Sequence, residues 1–460
     1  MKKLLLTIII AVFGLQYSQA QIPPVFANHL QYLLDSACQK NKIKGVSAAV
    51  LIPGMGVWNG TYGVSHDNVP LTTDMWLPIG SNTKTFTAAI MLQLQQEGKL
   101  SLDDTIGKWF TNVPNVNGQI TIRQMLNHTS GLYNYTNSTS FSAALNADYT
   151  KVWVPEDLLQ FIEAPQFAPG TGWSYCNTGY LLSGLIIKQV LNEPFHTTVR
   201  NRILNARSYN KSCTFPQEQP TATVPHGWSV AASGGAKLED IQVTYSWENT
   251  AFLSMATAAG AIVSTAEDNV HFWDDMMTGK IVNPASMSEL MNAVTMSSNS
   301  KYGLGIMRYG NVNGRVGYCH GGTCFGYINE NFRDSLSGIC ITLLSNQDSI
   351  GNSLLFSRVL VPLHRYLIKL PTASIAGMDK GQGISIYPNP ASNDVNIKME
   401  DVKNNTVISV YDMAGKNLVN VTAHAGINTL SVATLQNGLY ILRITADGAV
   451  IHTGKLQVTN

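Results

Sequence analysis

Two strand-like segments, "GVSAAVLIP" (45–53) and "GVWNGTYGV" (56–64), are split by Pro53-Gly54 and lead straight into a helix-periodic run. From about Ser101 to Gly279 the chain is mostly helix-periodic, as in "ITIRQMLNHTSGL", "YLLSGLIIKQVL" and "STAEDNVHFWDDMM". In the last of these, Ser264-x-x-Glu267 has the form of a capping box. Strand patterns return only far downstream, at "YGLGIMRYG", "GRVGYCHGG", "FGYINENFR" and "SGICITLLS", and an apolar helix, "SLLFSRVLVPLHRYLI", follows them. Strands interrupted by a helical insertion, then resumed and closed by a helix, predict one α+β domain with a helical subdomain over residues 21–370.

The stretch "PTASIAGMDKGQG" (371–383) is small, polar and glycine-containing, which reads as a linker. Beyond it, residues 384–460 carry short strands such as "VNIKM", "TVISVYD" and "GLYILRIT" separated by turns, the pattern of a small C-terminal β-sandwich. At the other end, "MKKLLLTIIIAVFGLQYSQA" (1–20) has the charged, apolar and small-residue regions of a secretory signal peptide. Its apolar run is too short to span a bilayer. Removing it takes the formal charge from +1 to −1, because it holds two lysines and no acid. That balance points to neither a nucleic-acid nor an anionic-membrane partner. No later run is long and apolar enough to cross a membrane, so an exported, soluble mature chain is expected. Six cysteines permit disulfides in that setting and leave the pairing open. None has zinc-ligand spacing, so no metal site is expected, and no cofactor is called for.

The helix-periodic run after the first strands is "IGSNTKTFTAAIMLQL". Phe86, Ile90 and Leu94 recur at helical spacing, and Gly98 is a natural stop. Ser81 and Lys84 stand one turn apart at its head. A serine hydroxyl needs a neighbouring base to become a nucleophile, and a lysine serves as base once its pKa is lowered. Ser208/Lys211 and Ser298/Lys301 repeat the spacing, but in polar stretches with no apolar helix beginning there. Context singles out Ser81, where a helix N-terminus favours developing negative charge.

A tyrosine near Ser81 could share the proton traffic. Among five Tyr-x-Asn triplets, only Tyr175-Cys176-Asn177 lies in a glycine-rich turn that opens an apolar helix. Oxyanion donors need backbone that a ligand can approach closely, and His320-Gly321-Gly322 fits on a strand. His424 and His452 also head His-x-Gly triplets, but inside the C-terminal sandwich. No Gly-x-Ser-x-Gly elbow is present, which argues against an α/β-hydrolase.

With these three elements in order, the chain resembles the penicillin-recognising serine hydrolases, in the branch of class C β-lactamases and secreted D-alanyl-D-alanine carboxypeptidases. "LQQEGKLSLDDTI", "AAGAIVST" and "YGLGI" add to the likeness, which runs from about Lys44 to Gln347. The resemblance implies an antiparallel sheet flanked by helices, with a helical subdomain as the second wall of the cleft. It also implies that Ser81 forms an acyl-enzyme, that Lys84 and Tyr175 manage protons, and that Asn177 holds the substrate amide. The N–H groups of Ser81 and Thr323, the residue after His320-Gly321-Gly322, would form the oxyanion hole. β-Lactams would then be covalent ligands. The segment "ISIYPNPASNDVNI", with "VYDMAGKNL" and "GLYILRI", resembles the C-terminal sorting domain of the type IX secretion system. This implies passage through the periplasm to the cell surface or the medium.

His-Gly-Gly departs from the Lys-Thr-Gly of class C β-lactamases, and Gly321 lacks a hydroxyl that helps bind a substrate carboxylate. Arg308 is a candidate replacement cation. The expected activity is a carboxypeptidase-like peptidase or amidase. An esterase on small acyl esters and a β-lactamase are its enzymatic rivals. An inactive surface protein that binds peptidoglycan or a partner is the non-enzymatic one.

Overall fold

The computed structural model describes residues 22–230, 235, 237–245, 250–369, 384–399, 401–403, 405–412, 415–447 and 449–459. The expected signal peptide (1–20) and linker (371–383) lie outside them.

The largest sheet is built from β1 (Gly45–Ile52), β2 (Gly56–His66), β3 (Val69–Pro70), β4 (Val294–Ser297), β5 (Ser300–Tyr302), β6 (Met307–Val312), β7 (Arg315–Cys324), β8 (Tyr327–Asp334) and β9 (Cys340–Ser345). Their spatial order is β3-β2-β1-β9-β8-β7-β6-β5-β4, and every neighbouring pair is antiparallel. The early and late strands join where β1 pairs with β9, with Val46 opposite Ser345 and Val50 opposite Ile341.

Both faces of this junction are covered, which is why "GVSAAVLI" lacks a polar alternation. Val46, Ala48, Val50 and Ile52 pack with a helix α1 (Pro24–Lys40) and with the closing helical segment through Leu355, Val359, Leu363 and Leu367. Ala49 faces the opposite core, among Phe86, Ile90, Val270 and Phe272. Those residues belong to α2 (Thr83–Gln96) and α4 (Ala266–Met277); α3 (Asn177–Leu191) contributes Tyr180, Leu182 and Ile186 to the same core.

Three features differ from the sequence expectation. Helix α1 occupies a stretch to which the sequence assigns no element and precedes the first strand, in place of strands opening the mature chain, with Phe26, Leu30, Leu34 and Cys38 on its buried stripe. Within "ITIRQMLNHTSGL" only Ile122–Leu126 is helical, opened by a capping box between Thr121 and Gln124. The cap of α4 is Thr265, whose side chain accepts from the Asp268 N–H, rather than Ser264. Ser264 instead ends a short strand, Ile262–Ser264, between Leu77–Pro78 and Ser212–Thr214.

The C-terminal strands are β10 (Ile384–Tyr387), β11 (Asp394–Met399), β12 (Val407–Tyr411), β13 (Asn417–Thr422), β14 (Gly426–Ser431), β15 (Gly438–Ala446) and β16 (Ala449–Val458). They form two sheets, β10-β11-β14 and β13-β12-β15-β16. Val395, Ile397 and Leu430 from one sheet share a core with Ile408, Leu442 and Leu456 from the other. None of the six cysteines is paired.

Candidate active site

Ser81 sits in a single 3-10 turn, Gly80–Asn82, that runs directly into α2. The turn is possible because Gly80 adopts φ +48° and because its α-carbon lies against β7. A Cβ at Gly80 would come within 2.9 Å of Thr323 N and of Thr323 O. Asn82, fully buried, anchors the other side of the turn. It accepts from Trp273 Nε1 (3.0 Å) and donates to Asn269 Oδ1 (3.0 Å). Asn269 donates to Asn331 Oδ1 (3.0 Å), and Asn331 donates to the His320 carbonyl (3.2 Å). A buried chain of amides therefore ties the serine turn, α4, β8 and β7 into one frame, and satisfied buried polar networks of this kind are rigid.

Lys84, on the first turn of α2, has no exposed surface. Its Nζ is 3.0 Å from Ser81 Oγ and 2.9 Å from the Ala259 carbonyl oxygen. The amine lies 4.9 Å from the centre of the Tyr175 ring and 5.3 Å from that of Tyr180. Among the described residues no carboxylate is in contact with it, and burial lowers its pKa to about 7. For Tyr175 burial acts in the opposite sense and raises the phenol well above its usual value, while a hydrogen bond with Ser81 pulls it back.

Asn177, the first residue of α3, is held at its N–H by Asn134 Oδ1 (3.0 Å), and its side-chain amide donates to Thr136 Oγ1 (3.2 Å). Ser81, Asn177 and Thr323 line one cavity of about 280 Å³, together with Phe252, Phe325 and Asp348. Phe252 and Phe325 stack with ring centres 5.2 Å apart and form an apolar wall. Asp348 accepts from the Gly326 N–H at 2.8 Å.

His320 is placed differently. It is buried and does not line this cavity. Its Nε2 is 2.8 Å from the Tyr302 hydroxyl and its Nδ1 is 2.6 Å from the Gly321 carbonyl oxygen. Burial lowers its pKa to about 3, so the ring is neutral; Nδ1 then donates to the carbonyl and Nε2 accepts from the Tyr302 hydroxyl. Gly322 is the contact between β7 and the serine turn, because a Cβ there would lie 2.1 Å from the Ile79 carbonyl oxygen. Arg308 does not line the cavity either.

Several residues that shape the site were not singled out in the sequence. Ala259 supplies the carbonyl for Lys84, Asn134 orients Asn177, and His128 accepts the Cys176 N–H with its ring centre 4.3 Å from that of Tyr175. The signal for His128 was present in "LNHTSGL", a turn in which this residue takes φ +65°.

The β-lactamase family model matches residues 26–354, and that of the secretion system C-terminal sorting domain matches residues 385–459. Penicillin-binding protein 4* of Bacillus subtilis (strain 168) is 24% identical over 314 residues, covering 65% of this chain and 67% of the relative. Among solved structures, a D-stereospecific amidohydrolase from Streptomyces sp. superposes with a TM-score of 0.64 at 28% identity, covering 73% of this chain and 98% of that one. The D-amino acid amidase of Ochrobactrum anthropi SV3, complexed with L-phenylalanine amide, gives 0.64 at 26% identity over 74% and 97%. No described helix is long and apolar enough to cross a membrane. The sorting domain marks a type IX secretion cargo, destined for the cell surface or the medium. With Ser81 and Lys84 in contact within a matched fold, the chain belongs to the β-lactamase family of serine hydrolases and carries a C-terminal secretion sorting domain.

Proposed function

We propose that this protein is an exported amidohydrolase that forms an acyl-enzyme on Ser81, with residues 21–370 as its catalytic unit, 371–383 as linker and 384–460 as sorting domain. One observation carries the reading: a fully buried Lys84 amine, with a pKa lowered to about 7, lies 3.0 Å from Ser81 Oγ. Near neutral pH an appreciable fraction of that amine is unprotonated and can take the Ser81 proton as Oγ attacks a carbonyl. Tyr175, its pKa raised by burial, stays a phenol and is suited to pass a proton to the departing amine. The N–H groups of Ser81 and Thr323 would receive the oxyanion, and the Asn177 side chain would hold the substrate's amide. Lys84 returns the serine proton to Tyr175, and water then releases the acyl group with Lys84 again as base.

For the acyl donor, charge in the cleft favours an amide without a free carboxylate over a peptide ending in D-alanyl-D-alanine. Among the described lining residues the acidic or basic side chain is Asp348, a part-buried carboxyl whose pKa burial raises, and no arginine or lysine joins it. A substrate carboxylate would meet like charge there, whereas a protonated α-amine would find a partner. The Phe252–Phe325 wall suits an aromatic or apolar side chain. The names of the two structural relatives point the same way. The test is a comparison of ammonia release from D-phenylalaninamide with D-alanine release from a peptide ending in D-alanyl-D-alanine. Preference for the amide, lost in Ser81→Ala, is expected. Turnover of neither amide nor peptide by the wild type, with hydrolysis of p-nitrophenyl esters, would replace this reading with the esterase.

A further inference from the structure

The short helix Ile122–Leu126 ends in a Schellman turn, in which the Thr129 N–H donates to the Gln124 carbonyl (2.9 Å) and the His128 N–H to that of Met125 (3.4 Å). The left-handed residue of such a turn is ordinarily glycine, sometimes asparagine, because a Cβ there is strained. This chain places His128 at that position, with φ +65° and no exposed surface. A buried ring kept on strained backbone beside a candidate active site points to a use for the ring.

That use is visible in what His128 holds. The Ser174 N–H donates to the His128 carbonyl (3.0 Å), and the Cys176 N–H donates to His128 Nδ1 (3.2 Å). Tyr175 stands between those two donors, and its ring centre is 4.3 Å from that of the imidazole. One residue thus grips Tyr175 on both flanks and along its face. Since Nδ1 accepts, a neutral ring carries its proton on Nε2. That nitrogen is buried with no hydrogen-bond partner among the described residues, so it adds shape rather than bonding. Burial, and after it the nearby Lys84 and His320, hold the imidazole pKa well below 6.5, so Nδ1 keeps its lone pair at neutral pH. His128 does not line the Ser81 cavity, so its part in the reaction runs through the tyrosine.

We propose that His128 is the positioning residue for Tyr175, its Nδ1 and its carbonyl fixing the backbone on either side of the phenol so that the hydroxyl meets the departing amine. This rests on the assignment of Tyr175 as proton donor made above. A reacting group displaced by about 1 Å costs on the order of a hundredfold in rate. Only a substrate whose leaving group needs the proton would register that loss.

The test compares D-phenylalaninamide, whose ammonia leaves only with a proton, with p-nitrophenyl acetate, whose phenolate leaves without one. The mature wild type, His128→Leu, His128→Asn and Tyr175→Phe are assayed side by side. His128→Leu removes the acceptor, whereas His128→Asn keeps an oxygen at the δ position and tolerates the left-handed turn. In His128→Leu, kcat for the amide is expected to fall about a hundredfold with KM nearly unchanged, while the p-nitrophenol burst persists. His128→Asn is expected to recover most of the amide rate. Equal loss on both substrates, or no recovery in His128→Asn, overturns the proposal. So does a His128→Leu protein that keeps the amide rate when Tyr175→Phe loses it. An amide rate retained in Tyr175→Phe overturns the donor assignment and the proposal together, and that variant alone identifies this case. Long-range proton–nitrogen spectra of the imidazoles read the grip without any turnover. A neutral ring protonated on Nε2 is expected at pH 7, and a ring protonated on Nδ1 overturns the proposal whatever the enzyme hydrolyses.

Discussion

The Ile79 carbonyl packs directly against the α-carbon of Gly322, so that a Cβ on Gly322 would lie 2.1 Å from its oxygen and 2.4 Å from Asn329 Nδ2. The Asn329 amide donates to that same carbonyl at 2.6 Å. This contact seats the serine turn on β7. Gly322→Ala should therefore displace the turn, cost about 1–3 kcal/mol through overpacking and slow acylation of Ser81 far more than it lowers stability. Urea unfolding and acylation kinetics on the same preparation separate the two effects.

The pKa of Lys84 gives a prediction for activity and one for stability. If the neutral amine is the base, the acylation rate should rise with pH and level off above about 7. The folded pKa lies below the ordinary value of 10.5, so between about 7 and 10.5 the unfolded chain binds the extra proton. Unfolding free energy should then increase with pH across that window, and the burial cost is fully present below pH 7. Lys84→Met should remove this slope and raise stability at pH 6. Denaturant titrations of both proteins across the pH range measure it.

Asp334, at the end of β8, accepts from His364 Nε2 at 2.8 Å, with both side chains fully buried. It thereby ties the closing helical segment to the sheet. Hydrogen bonds from His364 and from the Ser337 and Leu336 N–H groups outweigh its burial and hold its pKa at about 2. The stability it contributes is present above pH 4 and lost as the pH falls towards 2. Asp334→Ala leaves the imidazole without its partner and should cost about 3–5 kcal/mol, read by thermal or urea unfolding at pH 7.

Asp348 should set substrate charge. Asp348→Asn should raise KM for D-phenylalaninamide by about tenfold, the order expected for losing one charge-assisted contact, while kcat changes little. Steady-state kinetics with the amide and with an uncharged N-acetyl amide distinguish this from general damage, because only the charged substrate should suffer.

Elements with strong local periodicity were legible in the sequence. The β1–β2 pair, α2 and α3 follow from apolar spacing and from glycine and proline punctuation, and the Ser81–Lys84 contact follows from one helical turn. Helix α1 carries an equally regular stripe, Phe26, Leu30, Leu34 and Cys38, but no side-chain cap marks its start. The amide chain Asn82–Asn269–Asn331 was not legible, because its members are far apart in sequence and amide pairing leaves no period. The same holds for Ala259, whose part is played by a backbone carbonyl, and for Asp348 in the cleft. His320 was located on the right strand, yet its side-chain direction depends on Tyr302, a partner that no local pattern marks.

The most direct measurement is the intact mass of the mature protein after incubation with a fluorescent penicillin, beside a Ser81→Ala variant. A one-to-one adduct on the wild type, absent from the variant, is the predicted result and places the acyl group on Ser81. An adduct that persists in Ser81→Ala would contradict Ser81 as the acyl-accepting nucleophile, and a wild type that neither forms one nor consumes the drug would contradict penicillin recognition by this cleft.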